Sequence, residues 1–267
     1  IIAASQPGET ADTFAALKLA KEQGAYTLGI VNVVGSSIAR EADTVIYTWA
    51  GPEIAVASTK AYTVQASLFS LLAIGLGLAN GRLEREEAEK LTKGLYEDLP
   101  AAIENILARQ TDIQTIATRI TEAEDLFFIG RNADYFAALE ASLKLKEISY
   151  VHSEAYAAGE LKHGTISLIT EGTFVVALST VKALEEKLCS NIKEVKARGA
   201  RVISVVSAAS TMFEPISETV FHLPDIDERF AFIAEATVLQ LFAYYAAVAR
   251  GCSVDQPRNL AKSVTVE

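Results

Sequence analysis

The chain has 267 residues, 50% of them hydrophobic and 22% charged, a balance that supports a sizeable core and excludes a disordered or low-complexity chain. Lys plus Arg is 24 against 34 Asp plus Glu, a formal net charge of −10. Such a surface repels phosphate backbones and no basic run offsets it, so no nucleic-acid partner is expected. The two cysteines, Cys189 and Cys252, have no zinc-type spacing and cannot make a disulfide framework; they read as buried thiols in a reducing cytosol.

Short apolar runs at 1–5, 26–34, 44–48, 126–129, 174–178, 201–206 and 219–223 read as strands. Between them, residues 13–23, 85–107, 135–150, 181–198 and 230–248 carry helical periodicity. Strands alternating with helices imply a parallel sheet covered on both faces, hence an α/β fold. Residues 61–81 carry no charge over nearly the length of a membrane span. Thr63, Gln65, Ser67, Ser70 and Asn80 make this segment too polar for a lone span, so a helix in a core or a subunit interface is expected. With no signal-peptide layout at Ile1-Ile2-Ala3-Ala4, a soluble, cytoplasmic chain with no membrane partner is anticipated.

The chain also repeats itself. Ile1-Ile2-Ala3-Ala4-Ser5 aligns with Val175-Val176-Ala177-Leu178-Ser179, Gly24-Ala25 with Gly199-Ala200, and Thr44-Val45-Ile46-Tyr47 with Thr219-Val220-Phe221-His222. One offset of about 175 residues serves all three, so two copies of one unit are expected, joined by a helical stretch over 82–118. The second copy has a strand and helix over 126–150 that the first lacks. The sequence therefore reads as the C-terminal part of something longer, with at least one βα unit missing upstream.

Three segments could carry chemistry. Ser5-Gln6-Pro7-Gly8-Glu9-Thr10 lies between a strand and a helix, where hydroxyls and free N–H groups suit a phosphate, or where Thr10 or Asp12 simply caps the helix. Glu140, Lys144 and Glu147 share one helix face; that spacing suits a surface ion-pair ladder, but the polar segment that follows favours a site. His163, beside Gly164, suits an acid/base at a loop tip, while Glu160 and His163 without a second set make a poor metal site. The tail from Asp255 is either frayed or packed back across a site so as to deliver Lys262.

Three stretches, VASTK at 56–60, LKLKEISYVHSEAYAAGELKHG at 143–164 and DQPRNLAKSVTVE at 255–267, together resemble the isomerase half of the glutamine–fructose-6-phosphate amidotransferase (glucosamine-6-phosphate synthase) family. The resemblance implies two sugar-isomerase (SIS) domains: an N-terminally incomplete first one at 1–81, a connector at 82–118, a second at 119–250 and an active-site tail at 251–267. It implies fructose 6-phosphate as substrate, glucosamine 6-phosphate as product, a homodimer or higher assembly, and no metal or organic cofactor. By the same resemblance Ser5, Gln6 and Thr10 hold the phosphate, and Val56, Ser58 and Ala261 line the sugar. His163 opens the ring in a neighbouring subunit's site, Lys262 forms the Schiff base, and Glu147, assisted by Lys144, moves the proton between C1 and C2. Two departures stand out. Pro7 replaces a serine of the family's phosphate loop, and the N-terminal cysteine of the family's glutaminase domain has no counterpart, so glutamine hydrolysis is not expected here.

Overall fold

Three parallel strands open the chain: β1 (Ile2–Ser5), β2 (Leu28–Val31) and β3 (Thr44–Tyr47), in the order β1-β2-β3. Two helices, α1 (Ala11–Glu22) and α2 (Ser37–Glu41), connect them. Leu17 of α1 and Ile38 of α2 close a small core with Ala3 and Val31. The long helix α3 (Lys60–Ala79) follows. The computed structural model describes residues 1–262, which form two compact units: Ile1–Ala73 with the tail from Asp255, and Ile74–Val254.

The second unit begins with α4 (Arg85–Lys93), α5 (Leu99–Ala108) and α6 (Gln110–Ala117). The single helix expected over 85–107 is interrupted by a π-helical turn at Gly94–Asp98. Gly94 lets the Phe230 ring approach to where a Cβ would lie 3.2 Å away, and Pro100, which has no N–H, sits in the first turn of α5. Five parallel strands follow: β4 (Asp125–Gly130), β5 (His152–Ala157), β6 (Phe174–Ser179), β7 (Arg201–Val206) and β8 (Thr219–His222), ordered β5-β4-β6-β7-β8. Helices α7 (Ala133–Ser149) and α9 (Glu228–Ala249) pack against each other, and α8 (Glu185–Lys196) joins β6 to β7. All of β6 is buried, as its unbroken apolar sequence requires of a strand covered on both faces.

The internal repeat survives in the register. Ser5, Val31 and Tyr47 lie side by side in the first sheet, and Ser179, Val206 and His222 do so in the second. Gly24 and Gly199, at φ +78 and +88, end α1 and α8 in the left-handed conformation that glycine adopts without strain. Among the described residues the first unit has no counterpart of β4, α7 and β5. Helix α3 is largely open, with Phe69, Leu71, Leu76 and Leu78 exposed. Only 11% of the most apolar stretch of α3 is buried within the chain, which goes against the core placement and leaves the subunit-interface one, whereas α9 is 67% buried. Both helices are long and apolar enough to cross a membrane by length and composition alone.

Two further corrections concern side chains and edges. The segment 152–157, not among the expected strands, is the edge strand β5. Cys189 is buried as expected, but Cys252 is only half-buried.

Candidate active site

In parallel sheets, loops at the carboxyl ends of the strands gather ligand-binding groups, and the first unit places two such loops there. The loop after β1 is held from outside by Glu9, whose carboxylate accepts the Ser37 amide at 2.9 Å and the Ser37 hydroxyl at 2.6 Å. Those hydrogen bonds hold the Glu9 carboxyl below its ordinary value. Gly8, at φ +119, passes so close to Ser36 that a Cβ would meet its Oγ at 2.4 Å. Inside the loop the Ser5 and Thr10 hydroxyls share a hydrogen bond of 2.9 Å. Thr10 does occupy the N-cap position of α1, but its side chain makes no capping bond, so the first N–H groups of the helix are left to an external acceptor. Gln6 Oε1 is buried without a hydrogen-bond partner. Pro7 contributes only its carbonyl, which accepts the Val33 amide at 3.2 Å.

The loop after β3 is pinned by Asn32, which accepts from the Thr48 hydroxyl and the Ala50 amide and donates to the Gly51 carbonyl. It then folds around Glu53. One oxygen of this carboxylate accepts the Thr59 amide at 2.8 Å and the Ala61 amide at 3.3 Å; the other accepts the Ser58 hydroxyl at 2.9 Å and the Lys262 ammonium at 2.7 Å. Burial opposes ionisation here, but these four donors outweigh it, and the Glu53 carboxyl is held below its ordinary value. Lys262 Nζ also donates to the Ala55 carbonyl at 2.9 Å. The tail is therefore not frayed up to this point: the Val56 amide donates to the Asp255 carbonyl at 3.0 Å, while Ala261 stays exposed. Ser263 to Glu267, with the apolar Val264 and Val266, lie outside the described residues.

In the second unit Glu140, Lys144 and Glu147 form no surface ladder. Lys144 is 5% exposed at its side chain, 2.5 Å from Glu147 Oε2 and 3.8 Å from Glu140 Oε1. A lysine and a carboxylate desolvated this far form a pair able to hold or pass a proton at a fixed position. His163 lies on an exposed turn, its Nε2 4.0 Å from Glu160, and among the described residues no cluster of three or more His, Cys, Asp or Glu forms a metal site. A cleft of about 610 Å³ between α4, the π turn and the start of α9 is lined by Lys90, Asp98, Asn105 and Phe230 and contains none of the expected site residues. The chemistry follows the residues rather than this cleft.

Sequence reasoning missed Glu53, for which no periodic or spacing signal exists. It also missed Asp134 and Glu235. Glu235 could have been found, as the lone charge between Phe230 and Val248 in an otherwise apolar helix.

The SIS domain family profile matches residues 1–75 and 119–250. The chain belongs to the SIS domain family. Among its relatives, a glutamine–fructose-6-phosphate aminotransferase (isomerizing) of Symbiobacterium thermophilum is 53% identical over all of this chain, and one of Methanosarcina acetivorans is 50% identical. The chain spans less than half the length of these SIS relatives, 44% and 43% respectively. The solved C-terminal domain of glucosamine-fructose-6-phosphate aminotransferase from Francisella tularensis superposes with a TM-score of 0.90 at 36% identity, over 96% of this chain and 73% of that one. Within the SIS family this chain thus corresponds to the C-terminal, isomerase half of such aminotransferases.

Proposed function

We propose that the chain is the isomerase part of a glutamine–fructose-6-phosphate aminotransferase. It binds fructose 6-phosphate and, with ammonia from a glutaminase domain of the parent chain, yields glucosamine 6-phosphate and water. The observation that carries this reading is the Lys262 amine held against the 53–58 loop, in the unit that also contains the Ser5–Thr10 phosphate-type loop.

Ser5, Gln6 and Thr10 with the start of α1 take the phosphate; Val56, Ser58 and Ala261 line the sugar. A ketose closed as a hemiketal must open first, the task assigned to His163, which as an exposed group is available to a neighbouring copy in a homodimer. Lys262 then condenses with the freed carbonyl, losing water, and the imine draws electrons from the adjacent C–H bond. Glu147, its proton balanced by Lys144 2.5 Å away, carries that proton between C1 and C2. None of these steps calls for a metal or organic cofactor, and the chemistry suits the cytoplasm.

Pro7 favours a second reading, a SIS fragment that binds sugar phosphate but catalyses weakly, because proline offers the phosphate neither hydroxyl nor N–H. Conversion of fructose 6-phosphate to glucose 6-phosphate, assayed with the unaltered chain and with Lys262→Ala, separates the two. Turnover that disappears with Lys262 supports the enzyme. Binding without turnover in either protein supports the second reading.

A further inference from the structure

We propose that Glu53 is the positioning residue of this site, parking the Lys262 amine beside the loop that lines the sugar. The inference rests on the reading of Lys262 as the amine that meets the sugar carbonyl. The Glu53 side chain is 4% exposed and that of Lys262 27%, so the carboxylate is sealed in while the amine is still reachable from solvent. The two carboxylate oxygens divide their work. Oε1 takes the amides of Thr59 and Ala61 at the start of α3, as a helix cap would. Oε2 has no part in that cap; it takes the Ser58 hydroxyl and the Lys262 ammonium.

The second oxygen is what exceeds a structural role. By fixing Ser58 it sets one wall of the sugar site, and by fixing Lys262 it anchors the tail through its charge. Ser58 Oγ and the Ala55 carbonyl both lie within hydrogen-bonding reach of Lys262 Nζ, at 3.5 Å and 2.9 Å. An amine held by three acceptors is located in advance, until a ligand displaces them. The nucleophile is thereby positioned before the sugar arrives, which lowers the ordering cost of the reaction.

The test reads the amine rather than turnover. The folded chain is acetylated with a trace of acetic anhydride at neutral pH, and each lysine's labelling is quantified by peptide mass spectrometry against exposed Lys146. In the unaltered chain Lys262 should label about tenfold more slowly than Lys146, as a charge-assisted bond to a buried carboxylate predicts. Glu53→Gln keeps an acceptor for the helix cap but loses the charge, and should raise Lys262 labelling about tenfold. Glu53→Asp restores the charge and should bring labelling back down. Lys262 labelling as fast as Lys146 in the unaltered chain overturns the proposal, whether or not the Gln variant folds. So does a Gln variant with unchanged Lys262 labelling, or an Asp variant that behaves as Gln does. The assignment of Lys262 itself fails on a different result, full hexose 6-phosphate turnover by Lys262→Ala.

Discussion

Thr180 donates both its backbone amide, at 3.0 Å, and its hydroxyl to the carboxylate of Asp134 at the end of β6. The Val181 amide adds a third bond. In the internal repeat Thr180 and Val181 correspond to Gln6 and Pro7, so the counterpart of the loop to which the phosphate is assigned holds the protein's own carboxylate. Two copies of one loop have thus diverged, and in the second the anion is built in.

That carboxylate is costly to keep charged. Burial pushes Asp134 up from 3.8 to about 6 despite its three donors. A carboxyl raised in the folded state contributes stability that is present below its unfolded value and lost as pH rises through the folded one. The stability of the unaltered chain relative to Asp134→Asn should therefore fall by ~3 kcal/mol between pH about 4 and about 6. Urea unfolding of both proteins at several pH values in that window measures the difference, and parallel curves would show that Asp134 titrates normally.

Glu235 lies in the middle of α9 at 0% exposure, with both oxygens unpartnered. Complete burial raises its carboxyl well above the usual range, and the Asp134 charge raises it further. A buried acid without hydrogen bonds costs ~1–3 kcal/mol relative to an apolar group of similar volume. Glu235→Met should therefore stabilise the chain by about that amount in thermal or urea unfolding at pH 7. A destabilised variant would reveal a hydrogen-bond partner that Glu235 finds in solution.

Much of this fold was legible because parallel strands buried on both faces are written as unbroken apolar runs, such as Val175-Val176-Ala177-Leu178, and because the repeat places them at one offset. The edge strand β5 was not legible. His152, Ser153, Glu154 and Tyr156 carry no such run, since an edge strand has less to bury. For the Lys144–Glu147 pair, sequence gave the shared face but left open whether that face meets water. The helix packing decides it: α7 lies between β4, β5 and α9, which desolvates a charge pair of ordinary spacing. Lys262 could be named only through the resemblance, because residue type says nothing about where a tail docks; its partner Glu53 is visible only once the 53–61 loop is folded.

The open face of α3 leads to an assembly prediction. Phe69, Leu71, Leu76 and Leu78 on that helix are all exposed, and the outer edge of β1 is unpaired among the described residues. Apolar side chains and free strand edges of this kind associate in water. The chain is expected to be a dimer or larger at micromolar concentration, with an interface of more than about 1,000 Å². Light scattering that returned the 28.7 kDa mass of one chain would refute this.

Pro7 tests the phosphate loop directly. Its carbonyl accepts the Val33 amide, and its neighbour Gly8 lies against Ser36. Pro7→Ser adds one hydroxyl and one N–H to that loop. A hydrogen bond to a charged group contributes about 1.5–3 kcal/mol, so fructose 6-phosphate should bind tenfold or more tightly, to order of magnitude. Equal affinities by calorimetry would place the phosphate on other donors.

The sharpest prediction distinguishes two lysines. Both Lys144 and Lys262 carry an amine beside a carboxylate, and either is a chemically plausible partner for the sugar carbonyl. Their surroundings differ. Lys144 is 5% exposed and sits 2.5 Å from Glu147 with Glu140 behind it, so its nitrogen has little room to form a new bond to carbon. Lys262 is 27% exposed, rides on a tail rather than a helix, and is held by groups that a sugar hydroxyl can replace. Schiff-base formation converts a tetrahedral amine to a planar imine with a six-carbon substituent, which the second environment accommodates and the first does not. Borohydride added with fructose 6-phosphate should therefore fix the sugar on Lys262, and peptide mapping should find Lys144 unmodified. An adduct on Lys144 in a sample that turns over hexose 6-phosphate would exchange the roles of the two residues, and an active sample with no adduct would remove the covalent step altogether.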